Sequence, residues 1–139
     1  QEMNRCSRNG HPMALMMLDL DHFKKVNDTH GHLVGDKVLI DFVQRVSAQL
    51  RSFDKLGRYG GEEFVVMLVD SGLDGAAVVA QRILNMAPNK RGLPHCTTSI
   101  GIATIRAEDS SVDMLLARAD AALYQAKANG RNRFEKADA

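Results

Sequence analysis

From Met13 to Leu20 the chain reads MALMMLDL, almost wholly apolar and flanked by Gly10 and Pro12 on one side and by charges on the other. So short and unbroken a run predicts a strand buried on both faces, and its far end carries Asp19 and Asp21. Between Gly35 and Leu50 the period changes. Val38, Leu39, Phe42, Val43, Val46 and Leu50 recur at three- and four-residue spacing, which predicts a helix with one stripe on the core. Lys55 to Tyr59 and Glu62 to Val69 are strand-like, and Gly60-Gly61 between them predicts a tight hairpin whose glycines take positive φ angles.

Helical spacing returns from Leu73 to Ala87, ended by Pro88, Gly92 and Pro94, and a strand follows from Thr97 to Ile105. Ser110, three residues before Asp113, resembles a capping box, and the apolar stripe Leu115, Leu116, Ala119, Leu123 and Tyr124 continues until Gly130 stops it. A last short strand is expected over Asn132 to Glu135. The order β-α-β-β-α-β-α-β is that of a ferredoxin-like α+β core with an added C-terminal helix and strand. No repeat, linker or low-complexity stretch divides the 139 residues, so one domain is expected, large enough to need no disulfide or metal staple.

Composition changes this picture little. Hydrophobic residues make up 45% and charged residues 25%, which excludes disordered and fibrous classes. Eighteen Lys and Arg against seventeen Asp and Glu leave a net +1, so no global field draws a nucleic acid or a membrane surface, and an anion site must be local. Cys6 and Cys96 show no metal-ligand spacing and read as reduced thiols of the cytoplasm. No apolar run approaches the roughly 18 residues of a membrane span, and no signal peptide opens the chain. The abrupt start, with Gln1 to Gly10 like the tail of a polar helix, suggests a piece of a longer protein whose sensor or anchor lies upstream.

Chemistry concentrates in a few places. Asp19 ends an apolar strand, where a buried charge is costly without a partner. Glu62 and Glu63 follow two glycines that let backbone and ligand approach closely. Two such segments side by side would gather three carboxylates, a hard oxygen set suited to Mg²⁺ bound jointly with phosphates. On residues alone, surface acids on a turn are the stronger reading. Asn27 and Asp36 likewise read as a turn residue and a helix N-terminal acid. His22, His30 and His32 lack a third ligand at metal spacing and read as turn histidines, and the methionines of the strands read as core.

Taken together the segments say more. RYGGEEF at Arg58 to Phe64, DLDHFKKVND at Asp19 to Asp28, GHLVGD at Gly31 to Asp36, SIGIA at Ser99 to Ala103 and ADAALYQAKANGRN at Ala119 to Asn132 stand in the order of one family's blocks. The chain resembles, over nearly its whole length, the GGDEF family of diguanylate cyclases in its GGEEF form. The resemblance implies a palm-like core shared with nucleotide cyclases, a mostly antiparallel sheet with flanking helices, and synthesis of cyclic di-GMP from two GTP. It implies two Mg²⁺ ions, or Mn²⁺, held by Asp19, the Leu20 carbonyl, Glu62 and Glu63, with Glu62 also the general base for the ribose 3′-hydroxyl.

The same resemblance assigns guanine to Asn27 and Asp36, whose acceptors suit guanine's N1 and N2 donors. Gly60 and Gly61 would lie against the nucleotide. Phosphates fall to the turn after the first strand, at Phe23 and Lys24, and to Lys127 and Arg131. Lys24 is also one of two adjacent solvated lysines, and Lys127 with Arg131 also suits a helix C-terminus. Arg51-Ser-Phe-Asp54 matches the family's RxxD product-inhibition motif, with Arg82 in support; its plain alternative is a local ion pair. Turnover implies a homodimer, each protomer bringing one GTP, under an upstream regulatory domain. The alternative activity is a catalytically silent GGDEF module that binds GTP or cyclic di-GMP as a receptor.

Overall fold

The structure, a computed structural model, describes residues 12–87 and 92–137. Five strands form one sheet in the order β2-β3-β1-β4-β5: β1 Met13–Leu20, β2 Lys55–Gly60, β3 Glu63–Val69, β4 Thr98–Thr104 and β5 Phe134–Lys136. β1 pairs antiparallel with both β3 and β4, β2 pairs antiparallel with β3, and β5 runs parallel to β4. The helices are α1 Phe23–His30, α2 His32–Ser47, α3 Leu73–Leu84 and α4 Val112–Ala128. The α+β, mostly antiparallel architecture expected of the resemblance is therefore present.

Alternation along β1 explains its unbroken apolar run. Ala14, Met16, Leu18 and Leu20 enter a core with α1, α2 and α3, whereas Met13, Leu15 and Met17 enter a second core with Leu115, Ala119 and Leu123 of α4. A central strand covered on both faces has no polar side to show. α4 comes very close to β4. A Cβ on Gly101 would stand 2.2 Å from both the Ala119 carbonyl oxygen and the Leu123 nitrogen, so only glycine admits the helix backbone there.

Several expectations shift. The predicted helix over 35–50 runs from His32 to Ser47, and a separate helix, α1, occupies residues read as a turn. Only Phe23 and Val26 of α1 are buried, too few to make an apolar stripe visible in sequence. α3 ends at Leu84, and β4 is one residue shorter at each end than expected. The capping box does not form: α4 starts after Ser111 without a side-chain cap, and the Ser110 hydroxyl lies 3.2 Å from the Met114 sulfur. β5 begins at Phe134 because Arg131 and Asn132 are spent on a turn, with φ of 65° and 50°.

Cys96 is buried and free, and burial pushes its thiol up. Cys6 and the expected helix tail at 1–10 lie outside the described residues. Among the described residues no helix is long and apolar enough to cross a membrane.

Candidate active site

The parity that sends Met13, Leu15 and Met17 toward α4 sends Asp19 the same way. Across the sheet Asp19 is the register partner of Glu63, the first residue of β3, and of Ser99 in β4. On α4, Ala119 and Leu123 lead at four-residue steps to Lys127, which therefore lies over the same end of β1. Lys127 Nζ donates to Asp19 Oδ2 in an ion pair. The sequence had placed Lys127 on phosphate. Here it answers a buried acid, because Asp19 is only 4% exposed and needs a counter-charge.

That counter-charge is incomplete. Asp19 Oδ1 is buried with no hydrogen-bond partner. Burial raises the carboxyl's pKa, Lys127 lowers it, and Glu62 and Glu63 raise it again, for a net upward shift. An unpartnered carboxylate oxygen with two more acids in electrostatic reach suits a hard divalent cation. Among the described residues no three His, Cys, Asp or Glu side chains stand close enough to form a ligand set alone, the three histidines included. A cation here would also draw on backbone or nucleotide oxygens, as Mg²⁺ commonly does.

The hairpin tip is built differently from the expectation. Gly61 alone takes a positive φ, 21°, and the register slips between Arg58 and Gly60, a bulge that kinks the strand just before the tip. A Cβ on either glycine would meet nothing within 4 Å, so the backbone is bare to a ligand. The Arg58 guanidinium donates to the Gly61 carbonyl from Nε at 2.9 Å and Nη2 at 2.6 Å, latching the tip that carries Glu62 and Glu63. Sequence reasoning had given Arg58 no role; its place three residues before Gly61 was the available signal.

Asp21 was also left unassigned. It is 3% exposed, and both oxygens are engaged: Oδ1 accepts from the Ser99 hydroxyl at 2.6 Å, and Oδ2 from the Thr97 hydroxyl at 2.7 Å and the Asn132 backbone N–H at 3.0 Å. Arg131 Nη1 stands 4.0 Å from Oδ1.

At the α1–α2 corner Asn27 Oδ1 is buried without a partner, beside Gly35, where a Cβ would lie 1.9 Å from it. Asp36 is exposed one residue further on. Phe23 packs into the core, so only its backbone at the α1 N-terminus is free for a ligand. Lys24 is exposed and pairs with Asp28 at 3.2 Å, a surface pair of little energetic weight.

The RxxD motif closes on itself. Arg51 donates to Asp54 from Nε at 3.1 Å and Nη2 at 3.0 Å, and Nη2 also reaches the Val69 carbonyl at 2.8 Å and the Ser71 hydroxyl at 3.0 Å. The Asp54 hydrogen bond raises the Arg51 pKa, and the guanidinium lies over the Phe53 ring. Arg82 Nη2 donates to the Gln49 carbonyl at 3.3 Å, two residues before Arg51. The local ion pair is thus formed, with Arg82 close by in the fold.

Residues 1–133 match the family described as diguanylate cyclase, GGDEF domain. The chain belongs to the GGDEF family. This GGDEF domain is 41% identical over 137 residues to the response regulator PleD of Caulobacter vibrioides, covering 94% of the chain and 30% of the relative. It is 37% identical to diguanylate cyclase A of Treponema denticola, covering 94% and 37% respectively. It therefore spans about a third of these curated relatives. Among solved structures it is similar to the active GGEEF domain of a diguanylate cyclase from Vibrio cholerae, with a TM-score of 0.92, 30% identity, and 99% and 90% of the two chains covered. It is also similar to the GGDEF domain of DgcB from Caulobacter crescentus in complex with c-di-GMP, with a TM-score of 0.90, 31% identity, and 99% and 85% covered.

Proposed function

We propose that this domain condenses two GTP into cyclic di-GMP and two pyrophosphates. One observation carries the reading: a buried carboxylate with an unpartnered oxygen, Asp19, stands in register with the second acid of a latched hairpin, Glu63. Asp19, the Leu20 carbonyl, Glu62 and Glu63 would hold two Mg²⁺, or Mn²⁺. Bound there, the metal lowers the pKa of the ribose hydroxyl and neutralises charge that develops on phosphate. Glu62, at the tip of the turn, takes the proton of the 3′-hydroxyl. The hydroxyl oxygen bonds to the α-phosphorus of the facing GTP, and the bond to pyrophosphate breaks with its electron pair.

Asp36 accepts from guanine N1–H and the N2 amine, which adenine cannot match, and the free Asn27 Oδ1 offers a second acceptor. The α1 amides of Phe23 and Lys24 cradle phosphate, and Lys127 and Arg131 supply charge. Lys127 exchanges its hold on Asp19 for a phosphate oxygen when nucleotide arrives.

One domain holds one nucleotide, so turnover requires two facing protomers. Leu33 and Ile40, exposed on the helix that carries Asp36, and Tyr59 beside the hairpin provide apolar surface for that meeting. An upstream domain would control it in the cytoplasm. Arg51, Asp54 and Arg82 would bind product and restrain the enzyme.

The test is direct. The chain, fused to a dimerising coiled coil, is incubated with GTP and Mg²⁺, and the products are separated. Cyclic di-GMP with pyrophosphate supports the cyclase; nucleotide retained unconverted makes the domain a receptor.

A further inference from the structure

Arg131, one of the residues proposed to hold phosphate, belongs to a short stretch after α4 that has little structure of its own, and Lys127 sits in the last turn of that helix. Gly130, Arg131 and Asn132 take φ of 123°, 65° and 50°, three successive left-handed residues of which two are not glycine. Such a turn persists only where its surroundings over-determine it. Two bonds do so. The Arg131 N–H donates to the Ala126 carbonyl at 2.9 Å, tying the turn to the last turn of α4, where Lys127 sits. The Asn132 N–H donates to Asp21 Oδ2 at 3.0 Å, tying it to the residue after Leu20.

Asp21 is itself held by the hydroxyls of Thr97 and Ser99 at the start of β4. Its oxygens are committed to these donors rather than open to a metal, and Arg131 stands at the edge of its field. It therefore joins the ends of β1 and β4 to the turn that carries Arg131. None of its bonds reaches Asn27 or Asp36.

We propose that Asp21 is the positioning residue of the triphosphate end of the site, setting where Arg131 and Lys127 stand while leaving guanine recognition alone. The inference rests on the cyclase reading above and adds a division within it: one anchored module for phosphate, another for base.

The experiment compares inorganic triphosphate with guanosine as competitors of a fluorescent α,β-methylene analogue of GTP, on the full chain and on Asp21→Ala. Triphosphate affinity is expected to fall about tenfold, equivalent to ~1.4 kcal/mol, with guanosine affinity unchanged. In the cyclase assay KM for GTP rises more than kcat falls. Asn27→Ala gives the reverse pattern, losing guanosine and keeping triphosphate. Equal loss of both ligands in Asp21→Ala would reduce the residue to support of the fold and overturn the proposal, as would unchanged triphosphate binding. Should Asp21→Ala not fold, Thr97→Val, which removes one of its two hydroxyl holders, must show the same selectivity on a smaller scale. Wild-type protein that neither binds triphosphate nor converts GTP would instead sink the cyclase reading itself.

Discussion

The charged form of Asp19 is opposed by its own burial and by Glu62 and Glu63, with Lys127 as the favourable charge. Its folded-state pKa lies above the ordinary 3.8, so the native state holds this proton more tightly than the unfolded chain does. The destabilisation is fully present above the raised folded value and vanishes below the unfolded one. Asp19→Asn should therefore stabilise the fold at pH 7 by about 1 kcal/mol, a Tm rise of about 3 °C, while abolishing cyclase activity. Thermal melts at pH 7 and near pH 3.5 check the sign: the gain should shrink in acid. Residues of this kind were only partly legible. A lone acid ending an apolar strand announces itself, but the partners of Asp19 and Asp21 lie 108 and up to 111 residues away, where no local pattern reaches.

Elements were legible where their apolar period was strong. β1, the hairpin strands and α4 follow from runs and stripes that bury whole faces. α1 was not, because two buried side chains in eight residues make no stripe and its existence depends on packing against α2. Two glycines then decide how closely elements meet. Gly101→Ala should cost about 3 kcal/mol, since a Cβ 2.2 Å from helix backbone cannot be relieved by a side-chain rotation and α4 must lift from the sheet. Urea unfolding measures it. Gly35→Ala is subtler. The new methyl would displace the Asn27 carboxamide and press on Phe23, whose Cζ is 3.2 Å away. An affinity loss of about tenfold for GTP is expected with only about 1–2 kcal/mol of stability, seen by titration beside a melt.

Across the molecule, the sheet order separates two sites. The hairpin tip follows β2, whereas Arg51 and Asp54 precede it, and six residues of strand place them roughly 20 Å apart. Product bound at Arg51 would therefore not occupy the catalytic end, so Arg51→Ala should weaken cyclic di-GMP at least tenfold and leave GTP binding unchanged by calorimetry. Equal product affinity in the variant would leave RxxD as the ion pair that the structure contains. The order of elements made the architecture readable as a whole, since two split β-α-β units admit few arrangements. The parallel pairing of β5 with β4 was hidden, because three residues carry almost no periodic signal.

The ion pair that joins Asp19 to Lys127 spans 108 residues of chain. A ribosome moving at about 5–20 residues per second delivers the lysine roughly 5–20 seconds after the acid. For the later part of that interval the nascent polypeptide has every part of its glycine hairpin but no native counterweight for its buried carboxylate. That end of the sheet can settle only once the lysine has emerged, so a product released before it would carry the signature motif intact and still be inert.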